Sequence, residues 1–517
     1  MKLVKSLLLG SPAAIVALSG AYAADLPVTK AAPVAYVKIC DAYGAGFFYI
    51  PGTDTCLKVG GYIRAQYEYT PRRGELNYTV ANVKATTVNG VTTYAAPTGY
   101  TAVNGTTAAG GAFLAVPVNS GAEDSLGWLA RGRVDMDART ASPWGTVRAV
   151  LGLRLQVGSG QFQGTATGLA YGATIPAQSA WAEAAYVQFA GFTAGRAGEN
   201  FAFMPPFTWT GQHYWAGYPV GMKQLAYTAT FGGGFSATIA LEDKADFSYQ
   251  NANPLVAPGI IFGSVPTGPY AFGTGNSGVL VYPNDYPNVV GNLRVDQAWG
   301  SAQVMATVGQ NRFFDNTAAV QQTFARIGWA VGAGLKLNLP MLAAGDQLWL
   351  TAAYAEGMLD QLEGNSTSSN NADSSQNLRG VYRYDQNMWT NGVDTGLTKG
   401  WSAGGLFVHY WTPTLRSVFA ASYINLRLPS FVTGADWTQG GLSNGHAYDV
   451  SGSIIWAPVT NFDIGLELAY RKLDQSINCE TTGRFGNTCA LFATTNRYGA
   501  AVSPSALNTR LRIQRTF

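Results

Sequence analysis

The sequence predicts an all-β fold, a transmembrane antiparallel β-barrel, and three observations lead to that prediction. The last stretch of the chain alternates between apolar and polar residues. Predicted strands are joined alternately by short turns and long connections. Beyond residue 23, no run reaches the ~18 apolar residues that a membrane-spanning helix needs. A chain that crosses lipid without helices must close into a barrel, because lipid cannot satisfy an open sheet edge.

The final stretch, Leu507–Phe517, carries the alternation most clearly. Strand side chains point to opposite faces with a period of two. One face is mostly apolar, and the other is polar with Arg510 and Arg512. An apolar face, a charged face and an aromatic end suit a wall between lipid and water. From this stretch alone, an ordinary amphipathic edge strand of a soluble protein remains the alternative to a barrel strand.

The composition favours strands and turns over helices. Charged residues make up 12% of the chain, aromatic residues also 12%, and there are 62 glycines. Soluble proteins carry roughly twice that share of charge. The net charge of +3 is too small to argue for a nucleic-acid partner.

The N-terminus reads as a secretory signal peptide over residues 1–23. Lys2 and Lys5 form a basic start, an apolar run follows, and cleavage is expected near Ala23. The predicted divisions after it are an N-terminal segment with a disulfide-closed turn, residues 24–56, and the barrel, residues 57–517.

The four cysteines form two local pairs. Because an exported chain meets an oxidising compartment, we predict the disulfides Cys40–Cys56 and Cys479–Cys489. Reduced or metal-bound thiols remain the alternative, although neither pair has the C-x₂-C spacing of a zinc site.

Two stretches resemble the porin family of α-proteobacterial outer membranes. They are YVKICDAYGAGFFYIPGTDTCLKVGGYIR, residues 36–64, and AYVQFAGFTAGRA, residues 185–197. The resemblance extends over the mature chain to Phe517. It implies a barrel of about sixteen strands in the outer membrane and a homotrimer in contact with outer-membrane lipid and lipopolysaccharide. It also implies a third long loop folded into the lumen, and a barrel-assembly machinery that reads Phe517.

Counting strands independently also gives about sixteen. Short turns are predicted at seven places, each followed by a long connection, as in bacterial barrels with short periplasmic turns and long extracellular loops. Nearly every short turn has an aromatic neighbour, which is typical of a membrane interface. The turns lie near Ser142–Gly145, Ala190–Gly191, Gly232–Gly234, Trp299–Ser301, Leu339–Asp346, Thr412–Leu415 and Pro458–Asn461.

Five arginines lie on the polar faces of three successive strands, which would face the lumen of a barrel. We interpret them as a basic wall at a pore constriction, whose field sorts ions. The alternative is that they are only solvated, or paired with Asp135, Asp137 and Glu68. The five are Arg64, Arg131, Arg133, Arg148 and Arg154.

The connection Gly198–Gly221 corresponds in order to the family's inward-folding loop. It is rich in aromatic residues and proline, including Pro205 and Trp209, and it holds a single acid, Glu199. We therefore include Glu199 in the predicted constriction and expect only a weak field between loop and wall.

The predicted function is passive diffusion of small hydrophilic solutes and ions through a water-filled pore, without cofactor or metal. A solute-selective channel is the first alternative, and a barrel enzyme or adhesin the second. Two catalytic-looking motifs, Gly273–Gly278 and Gly400–Gly404 around Ser402, lack the strand–helix context that their chemistry needs. Asp436 and His446 follow Ser402 in the order of a hydrolase triad, but chance accounts for such matches in a glycine-rich chain.

Overall fold

The structure is a computed structural model, and it describes about three-fifths of the chain. The described residues are 38–69, 78–82, 84–88, 91–95, 113–117, 126–160, 177–205, 213–217, 221–243, 279–281, 285–315, 322–363, 388–390, 395–430, 441–442, 444–474, 477–478 and 505–517. Within these ranges, no helix is both long and apolar enough to cross a membrane.

Sixteen antiparallel strands form a closed barrel. Each pairs with its neighbours in chain order, and the last pairs with the first. They are β1 Thr55–Tyr69, β2 Leu126–Ser142, β3 Gly145–Gly160, β4 Ala177–Phe189, β5 Phe192–Gly198, β6 Gly221–Gly232, β7 Phe235–Glu242, β8 Asn288–Gln297, β9 Gly300–Asp315, β10 Gln322–Asn338, β11 Gln347–Glu356, β12 Lys399–Thr412, β13 Leu415–Arg427, β14 Gly445–Val459, β15 Phe462–Asp474 and β16 Ser505–Thr516.

The strand count and the short turns confirm the predicted barrel. The first strand begins at Thr55, two residues before the predicted Leu57, and all seven predicted short turns separate consecutive strands. Period-two alternation is a strong signal because a slip of one residue would turn every apolar side chain into the lumen.

Shorter elements lie outside the sixteen. Phe48–Tyr49 pairs with β1, and Val279–Val281 pairs with β9. A 3₁₀ turn spans Asp41–Tyr43, and the single-turn helix α1 spans Asp360–Glu363. The remaining short strands pair among themselves and are Tyr78–Asn82 with Phe113–Pro117, Lys84–Val88 with Val91–Ala95, Met388–Thr390 with Thr395–Leu397, and Gly441–Leu442 with Ile477–Asn478.

The outer face of the barrel is apolar and exposed, as lipid contact requires. Ile63, Leu155, Ile239 and Leu293 are each between 58% and 60% exposed. Aromatic side chains beside the short turns also point outward, with Trp144 at 81% exposed. The predicted aromatic band at the short-turn end is therefore confirmed.

The buried apolar core lies inside the barrel, which the alternation rule alone did not predict. Inner-face residues between β6 and β14 are partly apolar, and they pack with residues of the connection between β5 and β6. From the connection come Phe201, Phe203, Met204, Tyr214 and Trp215, and from the strands Ala226, Val290, Met305, Trp349, Leu406, Val418, Ile424 and Ile455, among others.

The N-terminal hairpin is fastened to the short-turn end of β1. The predicted Cys40–Cys56 disulfide is present, with the two Cα atoms 5.9 Å apart. Phe48–Tyr49 pairs with Cys56 and Leu57, along the part of β1 that extends below the end of β16. Covering this free strand edge removes unpaired backbone groups. The predicted Cys479–Cys489 pair lies outside the described residues.

The chain terminus completes the ring. Phe517 donates its backbone N–H to the Gly61 carbonyl at 3.0 Å and accepts one from Gly61 at 3.1 Å. Its side chain is 58% exposed at the short-turn rim. The terminal residue therefore belongs to the closure of the barrel.

Candidate pore constriction

Four of the predicted arginines lie in two adjacent rows across β1, β2 and β3. Arg64 is the register partner of Arg131, and Arg133 is the register partner of Arg154. Because neighbouring strands are ~4.8 Å apart, these guanidinium groups share one patch of the inner wall. Sequence alternation alone brought them to the same face, and strand register brings them to the same level.

Amide and aromatic side chains hold this patch in place. Gln156 accepts hydrogen bonds from Arg131 Nε and Nη2 at 2.9 and 2.7 Å. The Arg154 guanidinium lies 4.5 Å from the Trp181 ring centre, and that of Arg64 lies 4.7 Å from the Tyr62 ring. Ring contacts orient a guanidinium without neutralising its charge.

Glu183 on β4 is a member of the patch that the sequence reasoning missed. Its two carboxylate oxygens accept from Arg133 Nη1 at 2.9 Å and Arg154 Nη1 at 3.0 Å. The register between β3 and β4 shifts here, with Gly152 paired to Ala184 and the next pair skipping Glu183. A β-bulge re-aims a side chain. The bulge interrupts the alternation, so period-two reading does not find Glu183.

The closing strand adds two more arginines. Arg510 donates through Nε to Glu68 at 2.7 Å, and Arg512 donates through Nε to Gln66 Oε1 at 2.9 Å. The alternation of the last strand predicts that both lie on its polar face, but no sequence pattern joins them to Arg64. Pairing between β16 and β1 makes them neighbours. We call the six residues Arg64, Arg131, Arg133, Arg154, Arg510 and Arg512 the arginine wall.

Arg148 does not lie with the arginine wall. It is six positions from Arg154 on β3, roughly 20 Å nearer the short-turn end. There it donates to Asp137 through Nε at 3.1 Å and Nη2 at 3.0 Å. Arg139 donates to the same carboxylate at 3.0 and 2.8 Å. The sequence-based grouping of five therefore splits into two levels, because alternation gives the face but not the height.

The β5–β6 connection contacts inward-facing side chains soon after it leaves β5. The backbone N–H of Asn200 donates to Glu242 at 2.9 Å, and Asn292 donates to the Asn200 carbonyl at 2.8 Å. The Phe203 ring lies 5.4 Å from that of Trp349. Inner-face Gly334 admits this ring, since a Cβ there would lie 2.3 Å from it.

The later described part of the connection contacts strands further round the barrel. The Tyr214 N–H donates to Ser422 Oγ at 2.6 Å, and the Ala216 N–H donates to Thr351 Oγ1 at 3.0 Å. His213 is buried and contacts Asp449 through Nδ1. Side chains on β11, β13 and β14 thus hold residues 213–217 against the inner surface.

The residues predicted to form the constriction loop lie in different environments in the structure. Gly198 ends β5, and its carbonyl accepts from Gln224 at 2.7 Å; Gly221 begins β6 as its register partner. Glu199 is buried, with 6% of its surface exposed, and Pro205 is half-buried. Trp209 lies outside the described residues.

The structure describes one of the two catalytic-looking motifs, the one around Ser402, and gives it no support. Ser402 is buried in the middle of β12, with no helix after it, and His446 lies on β14. Gly273–Gly278 and Asp436 lie outside the described residues. Among the residues described, no three His, Cys, Asp or Glu side chains form a group that could hold a metal ion.

Comparison with known proteins identifies the family. A family model described as the porin subfamily matches residues 25–496. Porin Omp2b of Brucella canis is 31% identical over 356 residues, which cover 66% of this chain and 82% of that protein. Porin Omp2a of Brucella ovis is 55% identical over 82 residues, 16% of this chain and 22% of that protein.

A solved structure agrees at the level of the fold. The outer membrane channel DcaP of Acinetobacter baumannii aligns with a TM-score of 0.50 and 12% identity, over 91% of this chain and 99% of that one. With the family match, the closed barrel and the charged inner wall, the chain belongs to the porin family and forms a diffusion channel in the Gram-negative outer membrane.

Proposed function

We propose that the channel is a general diffusion pore with a weak preference for anions. Small hydrophilic solutes and ions pass down their gradients through water, without a cofactor. One observation carries this proposal. The arginine wall occupies the inner faces of β16, β1, β2 and β3, whereas the β5–β6 connection packs on the inner faces of the strands from β6 to β14.

The lumen is therefore asymmetric. A sixteen-stranded barrel is wide enough for an aqueous channel. The connection fills part of that width on one side, and we propose that the remaining passage runs between it and the arginine wall, beside the half-buried Arg64 and Arg133; the other four arginines of the wall are buried behind this surface. We assign the constriction to the arginine wall and to the connection that begins at Gly198 and Glu199.

The charge of the wall supports a weak preference rather than strict selection. Arg133 contacts Asp135 at 2.8 Å as well as Glu183, and Arg510 is paired with Glu68. These carboxylates neutralise a large part of the cationic field. A small positive surplus remains, and it is screened over ~10 Å at 0.1 M salt.

We propose that the mature protein, after cleavage near Ala23, assembles as a homotrimer among outer-membrane lipid and lipopolysaccharide. The exposed apolar outer face supports lipid contact. Phe517, exposed at the short-turn rim, is the terminus that we propose the barrel-assembly machinery reads. Crosslinking of the purified protein, with three linked chains as the largest product, tests the trimer.

Single-channel recording of purified protein in planar bilayers tests the pore proposal. We expect large, ohmic conductance and a zero-current potential of anionic sign in a salt gradient. The combined replacements Arg131→Ala, Arg133→Ala and Arg154→Ala should raise conductance and shift the potential toward cations. A wild-type channel with clear cation preference at low salt would overturn the proposal, as would a triple variant with an unchanged potential.

A solute-selective channel is the second candidate, and one observation favours it. Arg64 with Tyr62, and Arg154 with Trp181, each place a cation beside an aromatic ring on the inner face. Such pairs suit a planar anionic solute. Flux that saturates with rising concentration of an aromatic carboxylate such as benzoate would support this candidate over simple diffusion.

A further inference from the structure

We propose that the pore has a second anion-binding site at its periplasmic mouth, apart from the arginine wall. Its cations are Lys58, Arg139 and Arg148, they surround Asp137, and the disulfide-closed N-terminal hairpin covers one side. The ligands that fit it are small multivalent oxyanions, whose carboxylate or phosphate oxygens accept hydrogen bonds from several cations at once.

Strand register brings the four side chains together. Lys58 on β1 is paired with Asp137 on β2, and Arg139 on β2 is paired with Arg148 on β3. Alternation places all four on the inner face with the wall arginines. The short turn Ser142–Gly145 joins β2 and β3, and β1 begins beside it with Thr55 paired to Thr140, so the cluster lies near the periplasmic opening.

The cluster has more positive than negative charge. Asp137 forms ion pairs with Arg139 at 2.8 Å and with Arg148 at 3.0 Å. Lys58 donates to the Ala45 carbonyl at 3.3 Å, and within the described part of the chain no carboxylate lies in ion-pair distance of its ammonium. Three cations around one carboxylate leave a net charge of +2 for a ligand.

These cations are also accessible from the pore. The side chains of Arg139 and Arg148 are 27% and 31% exposed, whereas that of Arg154 in the arginine wall is 9% exposed. This exposure lets a solute anion reach the charges without first displacing a buried partner.

The N-terminal hairpin supplies aromatic rings to this site. The Arg139 guanidinium lies 4.9 Å from the Phe47 ring centre and 5.7 Å from that of Tyr43, and Lys58 Nζ lies 5.9 Å from Phe47. Phe47 packs against the buried Cys40–Cys56 disulfide. The rings orient the cations and shield them from bulk water on one side, while leaving their charge for a ligand.

Block of single-channel current by citrate tests the site. In channels of known orientation, citrate added on the periplasmic side should cause brief closures at low concentration. Lys58→Gln should raise the half-blocking concentration roughly three- to tenfold, because one unit charge is lost near the ligand. Lys58 is chosen because its loss leaves the ion pairs of Asp137 intact.

Asp137→Asn should have the opposite effect on block, because it removes the carboxylate that repels the anionic ligand. The half-blocking concentration of citrate should fall by a similar factor. A purely structural disturbance of the mouth would weaken block in both variants. Shifts in the same direction, or no shift in either, overturn the proposal.

Two further outcomes separate this site from the arginine wall and from the proposed function. Citrate would bind at the arginine wall, and the proposal would be overturned, if two results occurred together. Block would have to be lost in the triple variant Arg131→Ala, Arg133→Ala, Arg154→Ala, and it would have to remain complete in Lys58→Gln. This proposal requires that the protein is an open channel, but it does not require the arginine wall to prefer anions. A cation-selective wild type would therefore refute only the anion preference of the wall. Citrate block in Lys58→Gln and Asp137→Asn would still decide whether the second site exists.

The hairpin has its own test. The variant Cys40→Ser with Cys56→Ser changes no charge but removes the covalent link between the hairpin and β1, which leaves only the backbone pairing of Phe48–Tyr49 to hold it. We expect faster citrate dissociation and weaker block, with normal heat-modifiable migration as proof of a folded barrel. Block identical to wild type in that folded variant would overturn the contribution of the hairpin.

Discussion

Replacing Glu183 by Gln should make the channel more anion-selective. Glu183 is the carboxylate shared by Arg133 and Arg154, at 2.9 and 3.0 Å. Glutamine has nearly the same size and can still accept a hydrogen bond from one of the two guanidinium groups. The change therefore removes one negative charge from the constriction with little change in packing.

The magnitude follows from the local charges. Six arginines of the wall lie among four carboxylates, so the replacement raises a net charge of +2 to +3. A unit charge ~5 Å from a permeating ion, at an effective dielectric constant of about 40, contributes about 1.7 kcal/mol. Screening by salt reduces this to about 1 kcal/mol for each ion, favourable for the anion and unfavourable for the cation, so the anion-to-cation permeability ratio rises by up to roughly thirtyfold. The four carboxylates are Glu68, Asp135, Glu183 and Glu467.

The assay is the zero-current potential across a planar bilayer in a tenfold potassium chloride gradient. Glu356→Gln is the matched control, since Glu356 pairs with Lys399 at 3.1 Å at the ends of β11 and β12 farthest from the short turns. It should leave the potential unchanged. If Glu183→Gln leaves the potential where it was, or moves it toward cations, the arginine wall does not control selectivity.

Three other predictions address the packing, the terminus and the second disulfide. Gly334→Ala should lower the free energy of unfolding by about 1–3 kcal/mol, because its Cβ would clash with the Phe203 ring. The variant should therefore unfold at a lower temperature in the heat-modification assay and have a higher conductance. Gly291→Ala is the control, since its Cβ would meet nothing nearer than 3.7 Å. Phe517→Ala should reduce the amount of inserted protein far more than it alters the channels that do form, so normal yields of heat-modifiable protein would contradict the idea. Peptide mapping without reductant should recover the predicted C-terminal disulfide, and free thiols there would rule it out.

The alternation of apolar and polar residues predicted the strands well because a barrel wall separates lipid from water. Every strand must place apolar residues toward lipid, so the period of two survives in β2, where Trp128 and Val134 point outward and Arg131 and Arg133 inward. The short turns and their aromatic neighbours could be read for the same reason. The pattern of apolar residues outside and polar residues inside breaks down where the inner face is not in contact with water. Val418 and Ile424 on β13 point inward and are buried beneath the β5–β6 connection.

The sequence by itself determined the fold class, the strand count, the Cys40–Cys56 pair and the face on which the arginines lie. These depend on local periodicity and on chemistry that neighbouring residues share. Only the tertiary structure decided which charges meet. Closure of β16 on β1 brought Arg510 and Arg512 to the wall, a bulge turned Glu183 into it, and register separated Arg148 from it. Distances across a barrel depend on register and closure between residues far apart in the chain, and no local pattern encodes them.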